Sequence, residues 1–121
     1  MPSDVQTVKV ELSDLLEVLA IRTKMGRAPI GSRATGLRDA AIYPVKGGIE
    51  FEMPGLSQVI RVKSGKLTES AAFKIKTLPN IIKLLKSYVG QEQFAQIELS
   101  KDSVSFRCAG SKVSLTRYPV D

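Results

Sequence analysis

The chain has 121 residues, 43% of them hydrophobic, and 18 Lys+Arg against 12 Asp+Glu give it a formal net charge of +6. That is enough apolar material for one ordinary core, whereas unbroken apolar runs of only a few residues, such as Ile81-Ile82 and Leu84-Leu85, cannot supply the roughly 20 residues that cross a bilayer. With no histidine and one cysteine, Cys108, the sequence excludes Ser-His-Asp, Cys-His and His-metal arrangements and any intramolecular disulfide.

The start, Met1-Pro2-Ser3-Asp4, lacks the charged and apolar regions of a signal peptide, so a cytoplasmic protein is expected. Alternation predicts a first strand at about 5–11. Leu12, Leu15, Leu16 and Leu19 then fall at i, i+3, i+4 and i+7, one apolar stripe on a helix that ends near Gly26. Asp14 and Glu17 suit its positive end, and Arg22 and Lys24 its negative end. Strands follow at about 38–45, 48–53 and 57–63, separated by Lys46-Gly47-Gly48 and Met53-Pro54-Gly55, which carry turn chemistry.

A strand at about 70–76 leads into a second helix announced by Thr77 and Pro79 and ending near Gly90, with Leu78, Ile81, Ile82 and Leu85 as its stripe. Strands at about 94–100, 103–108 and 112–118 complete the chain, joined by Ser100-Lys101-Asp102-Ser103 and Ala109-Gly110-Ser111. Phe51, Phe73, Phe94 and Phe106 occupy alternating apolar positions and read as core. Cys108 shares a strand face with Val104 and Phe106, where a free thiol behaves as a small buried hydrophobe.

The second half mirrors the first. Val8-Lys9-Val10-Glu11 and Leu12–Leu19 align with Phe73-Lys74-Ile75-Lys76 and Leu78–Leu85, after an extra Thr77, with apolar matched to apolar throughout. Gly48–Met53 likewise aligns with Ser103–Cys108, and Gly55 answers Gly110. The expected architecture is therefore α+β, one domain over 1–121 made of a duplicated β-α-β-β-β unit. Repeat one spans about 5–66 and repeat two about 70–118, with two helices packed on one face of a curved antiparallel sheet.

This pattern resembles a single domain of the DNA sliding clamp family, the bacterial polymerase processivity β clamp. Val8-Lys9-Val10 running into Leu12–Leu19 is similar to the family's first strand and helix, Gly26-Arg27-Ala28-Pro29-Ile30-Gly31 to its Gly-Arg-x-Pro loop, and Arg107–Leu115 to its final hairpin. The resemblance implies a ring of six such domains around duplex DNA, helices lining the hole and sheet edges pairing between neighbours. One domain then needs self-assembly, a homo-oligomer, or partner domains. The family's main peptide cleft, which lies on its third domain, has no counterpart here.

Basic charge gathers in two stretches. Arg22 to Asp39 holds five cations against one acid, and Arg61 to Lys86 holds seven against Glu69. A sliding protein must hold the phosphate backbone without reading bases, which calls for a diffuse cationic surface. Lys83 and Lys86 lie off the second helix's stripe, with Lys76 just before it, and Arg22 and Lys24 close the first helix. The resemblance places Arg27, in a loop shared with Arg33, facing DNA. A solvated helix face and a surface loop are the plainer readings of the same residues.

The expected function is a non-catalytic, duplex-binding clamp-like protein, without catalytic residues, metal or other cofactor and without a membrane partner, acting with replication or recombination proteins. Gly31 and Gly36 are not followed by Gly-Lys-Ser/Thr and make no phosphate loop. The alternative is a clamp-fold interaction module that recruits a partner by strand addition at an exposed edge such as 57–63 or 112–118.

Overall fold

The computed structural model describes residues 5–24, 39–53 and 56–118. Strand β1 (Gln6–Glu11) passes directly into helix α1 (Leu12–Lys24), followed by β2 (Asp39–Val45), β3 (Gly48–Met53) and β4 (Leu56–Gly65). The order then recurs: β5 (Ala71–Lys74), a 3₁₀ turn (Ile75–Thr77), α2 (Leu78–Lys86), β6 (Phe94–Leu99), β7 (Ser103–Cys108) and β8 (Ser111–Thr116). All strand pairings are antiparallel, in one sheet of order β5-β2-β3-β4-β1-β6-β7-β8.

The two end strands of this order come back together. Ala72 in β5 and Tyr118 just past β8 form an antiparallel bridge, which a flat sheet of eight strands about 4.8 Å apart could not make. The sheet must curl around its contents. Within that curl the pairings are matched: β4 passes from β3 to β1, as the segment after β8 passes from β7 to β5, while β1 pairs with β6 and β5 with β2.

Alternation decides what the curl encloses. Val8, Val10, Ile42, Ile49, Phe51, Phe73, Ile97, Leu99, Val104, Phe106 and Cys108 are buried on the inner face, against Leu12, Leu15, Val18 and Leu19 of α1 and Leu78, Ile81, Ile82 and Leu85 of α2. Phe73 and Phe106 meet edge to face at 5.5 Å. The α1 stripe differs from expectation in one position, since Val18 is fully buried and Leu16 only half-buried at the margin. Phe94 is not core: Ala95, Ile97 and Leu99 take the inner face of β6, leaving Phe94 outside with Gln96 and Glu98.

Two glycines are fixed by backbone proximity. Gly65 has φ +86°, and a Cβ there would collide with the carbonyl of Thr7; one at Gly48 would collide with that of Ile60. A β-bulge between Lys9 and Val10 marks the place where β4 joins β1. The strand expected at 70–76 stops at Lys74, because Thr77 Oγ1 donates to the Lys74 carbonyl at 2.6 Å and the chain winds into the 3₁₀ turn. Thr77 consequently does not cap α2 with its side chain, and Pro79 alone carries the expected start signal. Among the described residues no helix is long and apolar enough to cross a membrane.

Candidate nucleic-acid interface

Helix α2 has two faces because its apolar residues recur at helical spacing. Leu78, Ile81, Ile82 and Leu85 are buried, so Pro79, Asn80, Lys83 and Lys86 point to solvent. The helix ends in a run of turn bonds, Ser87 N–H to Leu84 O at 3.2 Å and Tyr88 N–H to Leu85 O at 3.1 Å. Tyr88 Oη and Ser111 Oγ lie 2.6 Å apart, tying this end to the start of β8. Lys83 and Lys86 therefore sit one turn apart on a helix held at both ends. Neither has a carboxylate partner among the described residues, and their position in the last turn also complements the helix dipole.

Lys76 is exposed on the 3₁₀ turn immediately before α2. Arg22 and Lys24 belong to the final turn of α1, with only their backbone described, and Arg27 and Arg33 lie outside the described residues. Helix α1 packs beside α2 and presents Glu17 to solvent, with Asp14 half-exposed. The cationic character of this side among the described residues thus rests on Lys76, Lys83 and Lys86.

The outer sheet face holds charge that the sequence reading left unassigned. Tyr43 Oη donates to Glu52 Oε1 at 2.9 Å, and Ser57 Oγ donates to Glu50 Oε2. Burial, then the hydrogen bond to Glu52 and the charges of Glu52 and Glu50, raise the Tyr43 phenol above its usual range. Glu98 bridges Arg107 and Lys112, each at 3.4 Å. The Phe94 ring carries the ammonium groups of Lys9 and Lys63 at 5.4 and 5.9 Å from its centroid.

Glu11, Asp14 and Glu17, spaced three apart where β1 becomes α1, form one wall of a groove of about 640 Å³ whose other wall carries Arg61 and Lys63. Sequence reading assigned Asp14 and Glu17 to the helix dipole alone and did not group them with Glu11. Their spacing along one side of a helix start was the available signal. The groove runs beside a free strand edge. β4 pairs with β3 along Leu56–Arg61 and with β1 only along Val62–Gly65, so Leu56–Arg61 has no partner strand on its second side among the described residues. β8 likewise pairs with β7 along Ser111–Thr116 and has no described partner on its other side before Tyr118. Each edge overlaps one of the segments expected at 57–63 and 112–118 and begins one residue before it.

This arrangement of two helices and a curled antiparallel sheet matches solved structures. The β subunit of DNA polymerase III from Thermotoga maritima matches with a TM-score of 0.75 over 96% of this chain, at 13% identity. This chain has the fold of a bacterial β sliding-clamp domain. The Helicobacter pylori β clamp bound to a DNA ligase peptide matches at TM-score 0.70 over 93% of the chain and 14% identity, and the Bacillus subtilis polymerase sliding clamp at 0.65 over 93% and 15%. In each the match spans 31% of the clamp chain, so this sequence corresponds to about a third of a clamp subunit. No family model matches the sequence, and no curated protein is similar to it in sequence.

Proposed function

We propose that this protein is a non-catalytic, clamp-like DNA-associated protein that holds duplex DNA by its phosphate backbone, without sequence preference, and does so as an assembly of several copies. The observation that carries the reading is the pair of six-residue edges, Leu56–Arg61 and Ser111–Thr116, that have no second partner strand among the described residues, on a sheet whose fold matches one third of a clamp chain. An open edge on each of two strands lets one copy continue the sheet of the next. Copies joined in that way would turn the α2 lysines to a common interior.

In this reading Lys76, Lys83 and Lys86, joined by Arg22, Lys24, Arg27 and Arg33, form the phosphate-contacting surface, and the protein works in the cytoplasm beside replication or recombination proteins. In the same reading the chain is one domain that arose by duplication of a β-α-β-β-β unit, a view supported by the recurrence of β1–β4 in the order of β5–β8. The test is a solution mass measurement with and without duplex DNA. A six-domain multiple that forms or strengthens on duplex supports the reading, and a monomer indifferent to duplex at low salt removes it.

The free edge of β4 also favours a second reading, a clamp-fold module that recruits a protein segment by strand addition. Monomeric protein that binds no duplex but captures an extended peptide at Ser57–Arg61 would establish it instead.

A further inference from the structure

Strand β8 has one open side among the described residues, and none of its residues is fully buried. Half-buried and exposed positions alternate along it, Val113 and Leu115 resting at the margin of the core while Lys112, Ser114 and Thr116 stand on the outer face. Lys112 carries the only charge in the strand. A lysine on an edge strand ordinarily bars further pairing, because its hydrated ammonium hangs over the open side. The direction taken by this one side chain therefore decides what the edge can do.

Lys112 is drawn the other way. Its Nζ lies 3.4 Å from Glu98 Oε1, and Glu98 belongs to β6, two strands inward, so the ammonium reaches back across β7. The register sets the span: Glu98 faces Ser105 of β7, Ser105 faces Ser114 of β8, and Lys112 approaches on the diagonal. Arg107, directly opposite Lys112, meets the other carboxylate oxygen, Nε to Oε2 at 3.4 Å. Two cations facing each other across a strand pair repel, and the carboxylate they share lets both lie over the sheet. The Glu98 side chain is 16% exposed and that of Lys112 40%, so the anchor is sunk into the face and the lysine lies on top of it.

We infer that Glu98 is a positioning residue for assembly: by holding Lys112 over β7 it keeps the open side of β8 clear of charge and able to accept a second copy of the chain. The inference rests on the reading of the two open edges as the contact between copies. The other edge, Leu56–Arg61, has Arg61 as its only charge, so a lysine released over β8 would bring a second cation to that junction. An exposed ion pair adds little to stability, which separates this role from a structural one, since loss of Glu98 should change the edge far more than the fold.

The test compares the native chain with E98Q, K112T and E98Q/K112T by sedimentation equilibrium, with and without duplex DNA, and by thermal denaturation. E98Q alone should weaken self-association about tenfold while its unfolding midpoint stays nearly unchanged. K112T and the double substitution should match the native chain, because a threonine on the edge has no charge to release. Native self-association in E98Q, or a double substitution no better than E98Q, would overturn the role of Glu98 and leave the assembly reading intact. Loss of the fold in E98Q would make Glu98 a structural residue and overturn the inference equally. A native chain that stays monomeric with and without duplex would remove the assembly reading and the inference together.

Discussion

Ala72 and Tyr118 exchange both of their backbone hydrogen bonds, Tyr118 N–H to Ala72 O at 2.8 Å and Ala72 N–H to Tyr118 O at 3.0 Å, and so join the two ends of an eight-strand order. Arg117 secures the junction. Its guanidinium donates to the carbonyls of Ser100 at 2.7 Å and Ser70 at 3.1 Å and to the Glu69 carboxylate at 2.8 Å, while its own N–H donates to Asp102 O. The Lys74 ammonium lies 4.5 Å from the centroid of the Tyr118 ring.

Substituting Arg117 by Ala should therefore lower stability by about 1–3 kcal/mol, mostly through the two orphaned carbonyls. The ion pair with exposed Glu69 contributes little, so Glu69→Ala should cost under about 1 kcal/mol. Urea denaturation of both variants checks the ordering, and faster amide exchange at Ala72 in the Arg117 variant locates the effect.

Gly65 and Gly90 share left-handed backbones, φ +86° and +88°, but not surroundings. A Cβ at Gly90 meets open space, whereas one at Gly65 meets the Thr7 carbonyl. Gly90→Ala should cost about 1 kcal/mol for the dihedral alone. Gly65→Ala should cost at least twice that, because β1 and β4 must also separate. Paired thermal denaturation curves give the comparison directly.

Cys108 is buried, with its Sγ 3.7 Å from the Phe94 carbonyl; burial, and secondarily the charge of Glu92, raise its thiol pKa. A thiol whose folded pKa exceeds its unfolded value of about 8.5 contributes stability fully present below that pH, lost as pH rises through the folded value. Stability should decline above about pH 8.5, and Cys108→Ala should flatten that decline until Tyr43 begins to titrate. The native thiol should also resist a disulfide reagent at neutral pH and react on unfolding.

For the duplex reading, K83E/K86E should weaken binding to unrelated sequences equally and reduce the slope of log K against log salt by about 0.9 for each phosphate no longer neutralised. Filter binding or anisotropy over a salt series measures both. Sequence-dependent losses would contradict a backbone-only mode of binding.

For assembly, Val59 sits 55% exposed on the unpaired stretch of β4. Val59→Lys should leave the monomer folded and abolish any higher-mass species, since a charge on an open edge opposes strand addition. Unchanged mass would move the interface elsewhere.

Most of the element order could be read from the chain because period and punctuation agree there. The Leu78–Leu85 stripe, the Lys46-Gly47 turn and the alternation of Ser103–Cys108 each specify one structure. Errors arose where one residue class could satisfy two patterns. Phe94 is apolar but out of phase with Ala95, Ile97 and Leu99, and phase decides the face. Val18 lies on the far flank of a stripe already filled by four leucines, and Thr77 resembles a cap but spends its hydroxyl on Lys74. The groove between Glu11, Asp14 and Glu17 and Arg61 and Lys63 was hidden for a different reason. Its walls meet only when the β1–β4 register brings Val62 opposite Val10, information that no local window contains.

β1 is in register with β6 along all of Gln6–Glu11 but with β4 only along Val8–Val10. Its longer partnership is with the distant part of the sequence, so cutting the chain near Lys66 would strand β1 and β2 without the neighbours that complete them. Neither fragment should fold alone, and mixing the two should restore one cooperative transition rather than two. The interleaved strands make each half the template for the other.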